Sequence, residues 1–376
     1  MKRYLAGLVL LAVPCVLPVH AQEKQNFVIN TGTPEGQALQ SIGQETDDTK
    51  KNTLEQDFLA KYPKHEAAGW VAGQLEAALL AQKDNDKVLQ VAEAEYPNVP
   101  DMDSAYYALK AAVAKEDPAA AKEWAARTAE AAHKVIASEK APSNDEDKHQ
   151  LAYAKEVEEY ADYGLYVLSL KEPPKEQVDL VDALIKQNPR SQYLPEVASS
   201  YFAALTKAGE GGKACPAADR MAVDKNAEAM LFAADCAWRA NKADRVVSYG
   251  AKAAEAVNTR AKREGMNEAE WASQKAALLG TANFYTGVGY TMEMRYGPAN
   301  KALRAALPEL KSNQQLYGMA LFDLGLANYS LGKAVGDRAQ MRQGLQFFQQ
   351  SAQISGPMQD QASRNAKVVL GELGGR

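Results

Sequence analysis

The sequence predicts an all-α fold built as an array of antiparallel helix pairs, and three observations carry that reading. The first is the stretch LFDLGLANYSLG, in which Leu321, Leu324, Gly325 and Asn328 fall at i, i+3, i+4 and i+7. On a helix these positions form one narrow stripe, and the glycine in its middle lets a second helix approach closely. The second is the same spacing 45 residues earlier, at Ala276, Leu279, Gly280, Asn283 and Gly287. The third is punctuation: proline and glycine stand at the expected turns, and period-2 apolar runs bounded by turns are absent. Gly332 is expected to end the helix of the first stretch at a tight turn. Gly344-x3-Phe348 then opens a second amphipathic stripe that folds back on it.

At the N-terminus, Lys2 and Arg3 precede the apolar run Leu5 to Leu17, and Val19 and Ala21 supply small residues for cleavage after Ala21. Residues 1–21 therefore read as a secretion signal. Lipidation at Cys15 is the weaker reading, because Val13-Pro14 lacks the small residue usual before a lipidated cysteine. Residues 22–47 read as a flexible polar leader, in which Thr33-Pro34 would cap one short helix. The helical domain is expected over 48–376.

Within it, Leu54, Phe58, Leu59 and Tyr62 mark a helix from about Asp48 to Pro63. A pair over Glu66 to Tyr96 is split by the polar turn Lys83 to Asp86. Met102 to Lys115 and Ala119 to Ser138 form the next, with Asp117-Pro118 as N-cap and first helical residue. Ser143-x2-Glu146 reads as a capping box for a long helix carrying Tyr153, Tyr160, Tyr163 and Tyr166. Its partner follows Glu172-Pro173-Pro174 and carries Val178, Val181, Leu184 and Ile185. Val197, Tyr201 and Leu205 define another helix, and a short one follows the loop Gly209 to Gly212. Ala227 to Ala240 and Arg245 to Ala261 pair next. Asn267-x2-Glu270 caps the helix of the second glycine stripe. Gly297-Pro298 and Gly356-Pro357 are read as further breaks, and Met358 to Leu373 closes the array.

Composition narrows function. Of 376 residues, 46% are hydrophobic, enough for a large core. The formal net charge of −5 argues against a nucleic-acid footprint, and beyond the N-terminus no apolar run approaches membrane-spanning length. Removing residues 1–21 takes Lys2, Arg3 and Cys15, leaving 41 basic against 48 acidic residues and two cysteines, Cys215 and Cys236. In an oxidising compartment a disulfide is then the first question.

Catalytic signatures are sparse. His65-Glu66 begins a zincin-like pattern, but Gly69 stands where the second histidine belongs. His133 and His149 flank a polar loop and read as solvated. Gly209-x-Gly211-Gly212-Lys213 resembles a phosphate loop only superficially, since Ala214 replaces the required Ser or Thr and no strand precedes it. Gly287-Val288-Gly289 lacks the third glycine of a dinucleotide fingerprint. Glu158-Glu159 reads as part of a charged helix face.

The Leu-Gly pairs Leu279-Gly280 and Leu324-Gly325, followed by Gly344-x3-Phe348 and Pro357, resemble the tetratricopeptide repeat. The match is best from Ala227 to Pro357. The chain departs from the motif where Leu321 replaces the first aromatic and Asn283 and Asn328 the second. Its intervals also exceed the roughly 34 residues of a strict repeat. With its secretion signal, the chain resembles secreted bacterial tetratricopeptide-repeat proteins. The resemblance implies a superhelical α-solenoid whose first helices line a concave groove. It also implies a non-enzymatic scaffold or adaptor, periplasmic or secreted, that binds a partner protein or peptide. No cofactor, metal, nucleic-acid partner or integral membrane segment is expected. The alternative is an enzyme whose site is assembled from distant repeats.

Repeat geometry makes neighbours of the helices carrying Cys215 and Cys236, so these are expected to be bridged. Closing that loop would contribute roughly 3 kcal/mol. The repeat register, anchored on Glu76, Gly280 and Gly325, puts Trp70, Phe284, Phe322 and Tyr329 on the concave side as peptide anchors. Tyr160, Tyr163 and Tyr166 drift along one helix face, where core packing is the simpler reading.

Overall fold

The computed structural model describes residues 29–138, 142–223, 225–262 and 265–374. The secretion-signal segment and the start of the leader lie outside the described residues. Among these residues the fold is all-α, with seventeen α-helices, two short 3-10 turns and no strand. No described helix is long and apolar enough to cross a membrane. The described residues group into two compact units, those within 1–115 and 127–161, and those within 116–126 and 162–376.

The helices of the N-terminal half are α1 (Pro34–Gln44), α2 (Asp48–Lys61), α3 (Ala68–Ala81), α4 (Asn85–Glu95), α5 (Met102–Ala114), α6 (Pro118–Ser138) and α7 (Asp145–Ser169). Their starts follow local chemistry. The Thr33 hydroxyl accepts from the Gly36 amide, and Asp47, Asp84 and Asp101 cap α2, α4 and α5 in the same way. Because α1 buries Leu39 and Ile42, residues 34–44 are a packed helix, not part of a flexible leader. The box before α7 sits one residue later than its sequence suggests. Asn144 Oδ1 accepts from the Asp147 amide, and the Asp147 carboxylate reaches back to the Ser143 amide and hydroxyl. In the first unit, half-buried Tyr160 packs edge-on against Tyr106, on the cluster of buried Ala132 and Val157.

The C-terminal half comprises α8 (Pro174–Gln187), α9 (Leu194–Lys207), α10 (Ala214–Met221), α11 (Ala227–Arg239), α12 (Ala243–Thr259), α13 (Glu268–Met292), α14 (Tyr296–Ala306), α15 (Gln314–Val335), α16 (Arg338–Ala352) and α17 (Gln359–Gly374). From α11 onward each helix packs on the next, and alternate helices touch as well: α9 on α11, α11 on α13, and α13 on α15. Glycine sets the closest of these contacts. A Cβ on Gly325 would lie 2.6 Å from the Phe348 ring, and one on Gly344 would lie 2.7 Å from the backbone nitrogen of Tyr329. A Cβ on Gly332 would meet the Asp337 carbonyl at 2.7 Å. Residue numbers rise along α15 as they fall along α16, so the pair is antiparallel. Gly250 and Gly289 make the same kind of contact between α12 and α13.

Leu321, Leu324 and Asn328 are buried as the stripe requires. Asn328 is tolerated there because its Nδ2 donates to the Leu324 carbonyl and its Oδ1 accepts from Asn300 at 2.8 Å. One sequence reading needs correction. Gly332 lies inside α15, where its missing side chain admits the returning chain, and Gly336, at φ 72°, ends the helix. Gly297-Pro298 falls at a helix boundary, in the first turn of α14, where proline forfeits no intrahelical bond. Cys215 and Cys236 form a disulfide joining α10 to α11, with Cα atoms 5.8 Å apart.

Gly344→Ala is expected to destabilise the protein by about 1–3 kcal/mol, because the obstacle is backbone and cannot rotate away. Gly371→Ala, on α17 with nothing within 4 Å, should be neutral or stabilising by up to about 1 kcal/mol. Equal stabilities in chemical denaturation would contradict the close-contact account.

Glu55 on α2 gives a pH signature. It is 1% exposed, neither carboxyl oxygen has a hydrogen-bond partner, and Lys51 Nζ stands 3.8 Å away. Burial, opposed by Lys51, lifts its pKa from 4.5 to about 7. The folded chain thus keeps a proton that the unfolded chain releases. Stability from this group falls as pH rises from about 4.5 to 7, by on the order of 3 kcal/mol, and stays low above that window. Glu55→Gln should flatten this fall, and an unchanged slope in pH-dependent denaturation would contradict the assignment.

Candidate functional site

In the second unit, one face each of α9, α11 and α13 borders a cleft of about 510 Å³. Helix α9 contributes Ser199, Phe202 and Thr206, and α11 contributes Leu231, Phe232 and Asp235. Helix α13 contributes Leu278, Thr281 and Tyr285. The α9 and α13 sets keep the three-to-four-residue spacing of a single helix face, and on α11 Leu231 and Asp235 do so with Phe232 beside them. Phe202 and Phe232 stack across the α9–α11 junction with centroids 4.1 Å apart and planes 20° from parallel. The Tyr285 hydroxyl donates to Asp235 Oδ1 at 3.1 Å, and Arg239 pairs with the other oxygen of that carboxylate at 2.6 Å. Burial, followed by the Asp235 charge, raises the Tyr285 phenol above its ordinary range, so it stays a neutral donor. The cleft therefore offers an apolar, aromatic floor with fixed polar groups at its edge.

Within the second unit, the expected anchors Phe284, Phe322 and Tyr329 have separate surroundings. Phe284 is 0% exposed and packs edge-on against Trp238 and Tyr285 inside the core, so it lines no surface. The α13 residues that line the cleft are Leu278, Thr281 and Tyr285, the last next to Phe284 and itself 8% exposed. The physical reason is that Tyr285 carries a hydroxyl needing a partner at the cleft edge, whereas Phe284 has no polar atom and takes the interior. Phe322 is half-buried against Phe348, at 5.6 Å between centroids. Tyr329 is tied to α17: its hydroxyl meets the Glu372 carboxylate at 2.9 Å and Lys333 Nζ at 2.7 Å. The two phenylalanines that line the cleft, Phe202 and Phe232, adjoin the packing residues Tyr201 and Ala233. Searching one position off the packing stripe in α9 and α11 would have found both.

Trp70 lines a separate cleft of about 250 Å³ within the first unit. Tyr96, Tyr107 and Tyr153 share its walls with Asp101 and Asp103. Tyr153 donates to Asp103 Oδ1 at 2.7 Å, and the Asp101 carboxylate caps α5 through the Ser104 amide. Beside this cleft, Glu76 is fully buried and accepts from the Ser104 hydroxyl at 2.9 Å. Burial, and then the charges of Asp101, Asp103 and Glu95, push its carboxyl well above the usual range.

His65 Nδ1 accepts from the Ala67 amide, and His133 pairs with Glu158 at 2.6 Å on an exposed surface. Gly211–Lys213 forms a 3-10 turn leading into α10. Among the described residues, no group of three or more His, Cys, Asp or Glu is placed to hold a metal ion.

Phe284→Ala should lower stability by about 3–5 kcal/mol, the cost of emptying a packed aromatic site. A loss below about 1 kcal/mol in urea denaturation would show that this ring is not core. No model of a known protein family matches the chain, and no curated protein is significantly similar to it.

Proposed function

We propose that the chain is a non-enzymatic protein-binding module, a tetratricopeptide-like solenoid of helix pairs. In this reading the cleft bordered by α9, α11 and α13 receives an extended segment of a partner protein. The observation that carries the proposal is the agreement of three alternate helices in turning one face toward the same cleft. Helix pairs stacked in series bury their mutual faces and leave such a row of first helices open. Stacked phenylalanines supply large contact area at little rotamer cost, and Asp235 and Tyr285 supply directional bonds that would fix a peptide's register. The secretion-type sequence of residues 1–21 puts this activity in the bacterial envelope or outside the cell.

Photocrosslinking tests the proposal. With p-benzoylphenylalanine at Thr281, irradiation in envelope extract of the source cells should give a discrete adduct. The adduct should map to one segment of one partner and disappear when Phe232→Asp is added to a chain that still melts normally. A probe at exposed Val368 on α17 should give no such adduct. The same adducts from both positions, or adducts indifferent to Phe232→Asp, would overturn the assignment.

A further inference from the structure

We propose that a second cleft of the second unit, where α9 and α11 begin, binds a carboxylate attached to a small apolar group. The carboxylate would sit on the Asn226 amide and the Lys225 ammonium. No described residue lines both this cleft and the one assigned above to a partner segment, so the two readings stand or fall separately.

Asn226 is the N-cap of α11. Its Oδ1 accepts from the Ala229 amide at 3.1 Å, which fixes one end of the carboxamide. The other end, Nδ2, is buried without a hydrogen-bond partner, and the residue as a whole is 3% exposed. Capping alone does not call for such a group. Asp or Ser caps a helix as well, and neither leaves an NH₂ with two donors behind the cap. A buried amide donor keeps its desolvation cost until an acceptor arrives. Asn226 lines a cleft of about 480 Å³, so the acceptor can come from outside the chain.

The surroundings favour an anionic acceptor. Lys225 lines the cleft beside Asn226, is exposed, and makes no ion pair with another described residue. Two helices begin here, α11 behind Asn226 and α9 at Leu194, and the N-terminal end of a helix favours negative charge. Arg260 holds the frame. Its guanidinium grips Glu228 through Nη1 at 2.7 Å and Nη2 at 2.6 Å, and Nη2 also reaches the Lys225 carbonyl at 3.3 Å. The end of α12 is thereby tied to the first turn of α11 and to the chain entering it. Among the described lining residues Glu196 is the acidic one. Its charge acts on Arg260. Hydrogen bonds to Glu228 first, against the cost of burial, and then the Glu228 and Glu196 charges hold the guanidinium proton more tightly.

The rest of the lining sets the body of the ligand. Leu194, Pro195, Val223 and Ala261 border the same space and offer it apolar surface. An anion that is polar all round, such as phosphate, would leave that surface unused, whereas a carboxylate with an aliphatic tail uses both parts. Such a group ends a free aliphatic acid and equally a peptide whose last residue is aliphatic.

Calorimetry on the full chain tests this. The probes are 4-methylpentanoate and acetyl-Ala-Ala-Leu with a free carboxylate. The neutral controls are 4-methylpentanamide and acetyl-Ala-Ala-Leu amide, and inorganic phosphate is the anion without an apolar part. Saturable binding of the carboxylates is expected, weakened about tenfold or more in Asn226→Ser and in Lys225→Gln. Ser retains the cap of α11 while removing the amide, and circular dichroism melts confirm the fold of each variant. Tighter binding of the peptide acid would assign the site to a chain terminus, and tighter binding of the free acid to a small molecule. The proposal is overturned by any of four results: no saturable carboxylate binding up to about 10 mM, equal binding of the neutral amides, phosphate bound as tightly as the carboxylates, or undiminished binding in either variant.

Discussion

Close contact between the backbones of antiparallel helices is the constraint on which the second unit depends. At Gly325 and Gly344, and again at Gly250 and Gly289, one helix occupies the space a neighbour's Cβ would need. Such contacts gain dispersion along the whole pair but leave no room for adjustment. They also determine where large side chains can go: the Phe348 ring fills the space that a Cβ on Gly325 would need. On α9 and α11, Phe202 and Phe232 stack where the two helices border the cleft.

Polar links between helices complete the specification. Tyr201 donates to Asp182, Tyr285 to Asp235, and Tyr153 to Asp103, each joining two helices through one buried or half-buried hydroxyl. Gln187 and Asn188 both donate to Asp162, and Ser351 donates to the Gly318 carbonyl. A hydrophobic stripe alone tolerates sliding by a turn. A buried donor that would lose its acceptor does not, because an unsatisfied group costs more than the bond gains. Glu55 departs from this pattern, buried beside a single lysine at 3.8 Å and without a hydrogen bond.

Helix positions were legible in the sequence wherever a cap or a proline acts locally. Asp47, Asp117 and Asn267 start their helices as their side chains dictate. The buried stripe of α15 could be read from periodicity, since spacing on a helix is fixed by geometry. What could not be read depends on tertiary choice. Gly332 and Gly336 are equally able to end a helix, and the need for space at Asp337 decides between them. Phe284 and Tyr285 are adjacent aromatics, and the hydroxyl's partner on α11 decides which faces the cleft. The cleft around Trp70 was half visible, because the register anchored on Glu76 pointed to that ring. Tyr96, Tyr107 and Tyr153 are brought to it by three other helical segments, and no local pattern announces their meeting.

Hydrogen–deuterium exchange on the intact chain tests most directly whether glycine contacts hold the second unit and leave the cleft face to bind. Amides around Gly325 and Gly344, and around Gly250 and Gly289, should exchange most slowly, at rates set by global unfolding. Amides of the loop between α9 and α10 should exchange much sooner. Rapid exchange at the glycine contacts, with slow exchange elsewhere in the unit, would contradict the account.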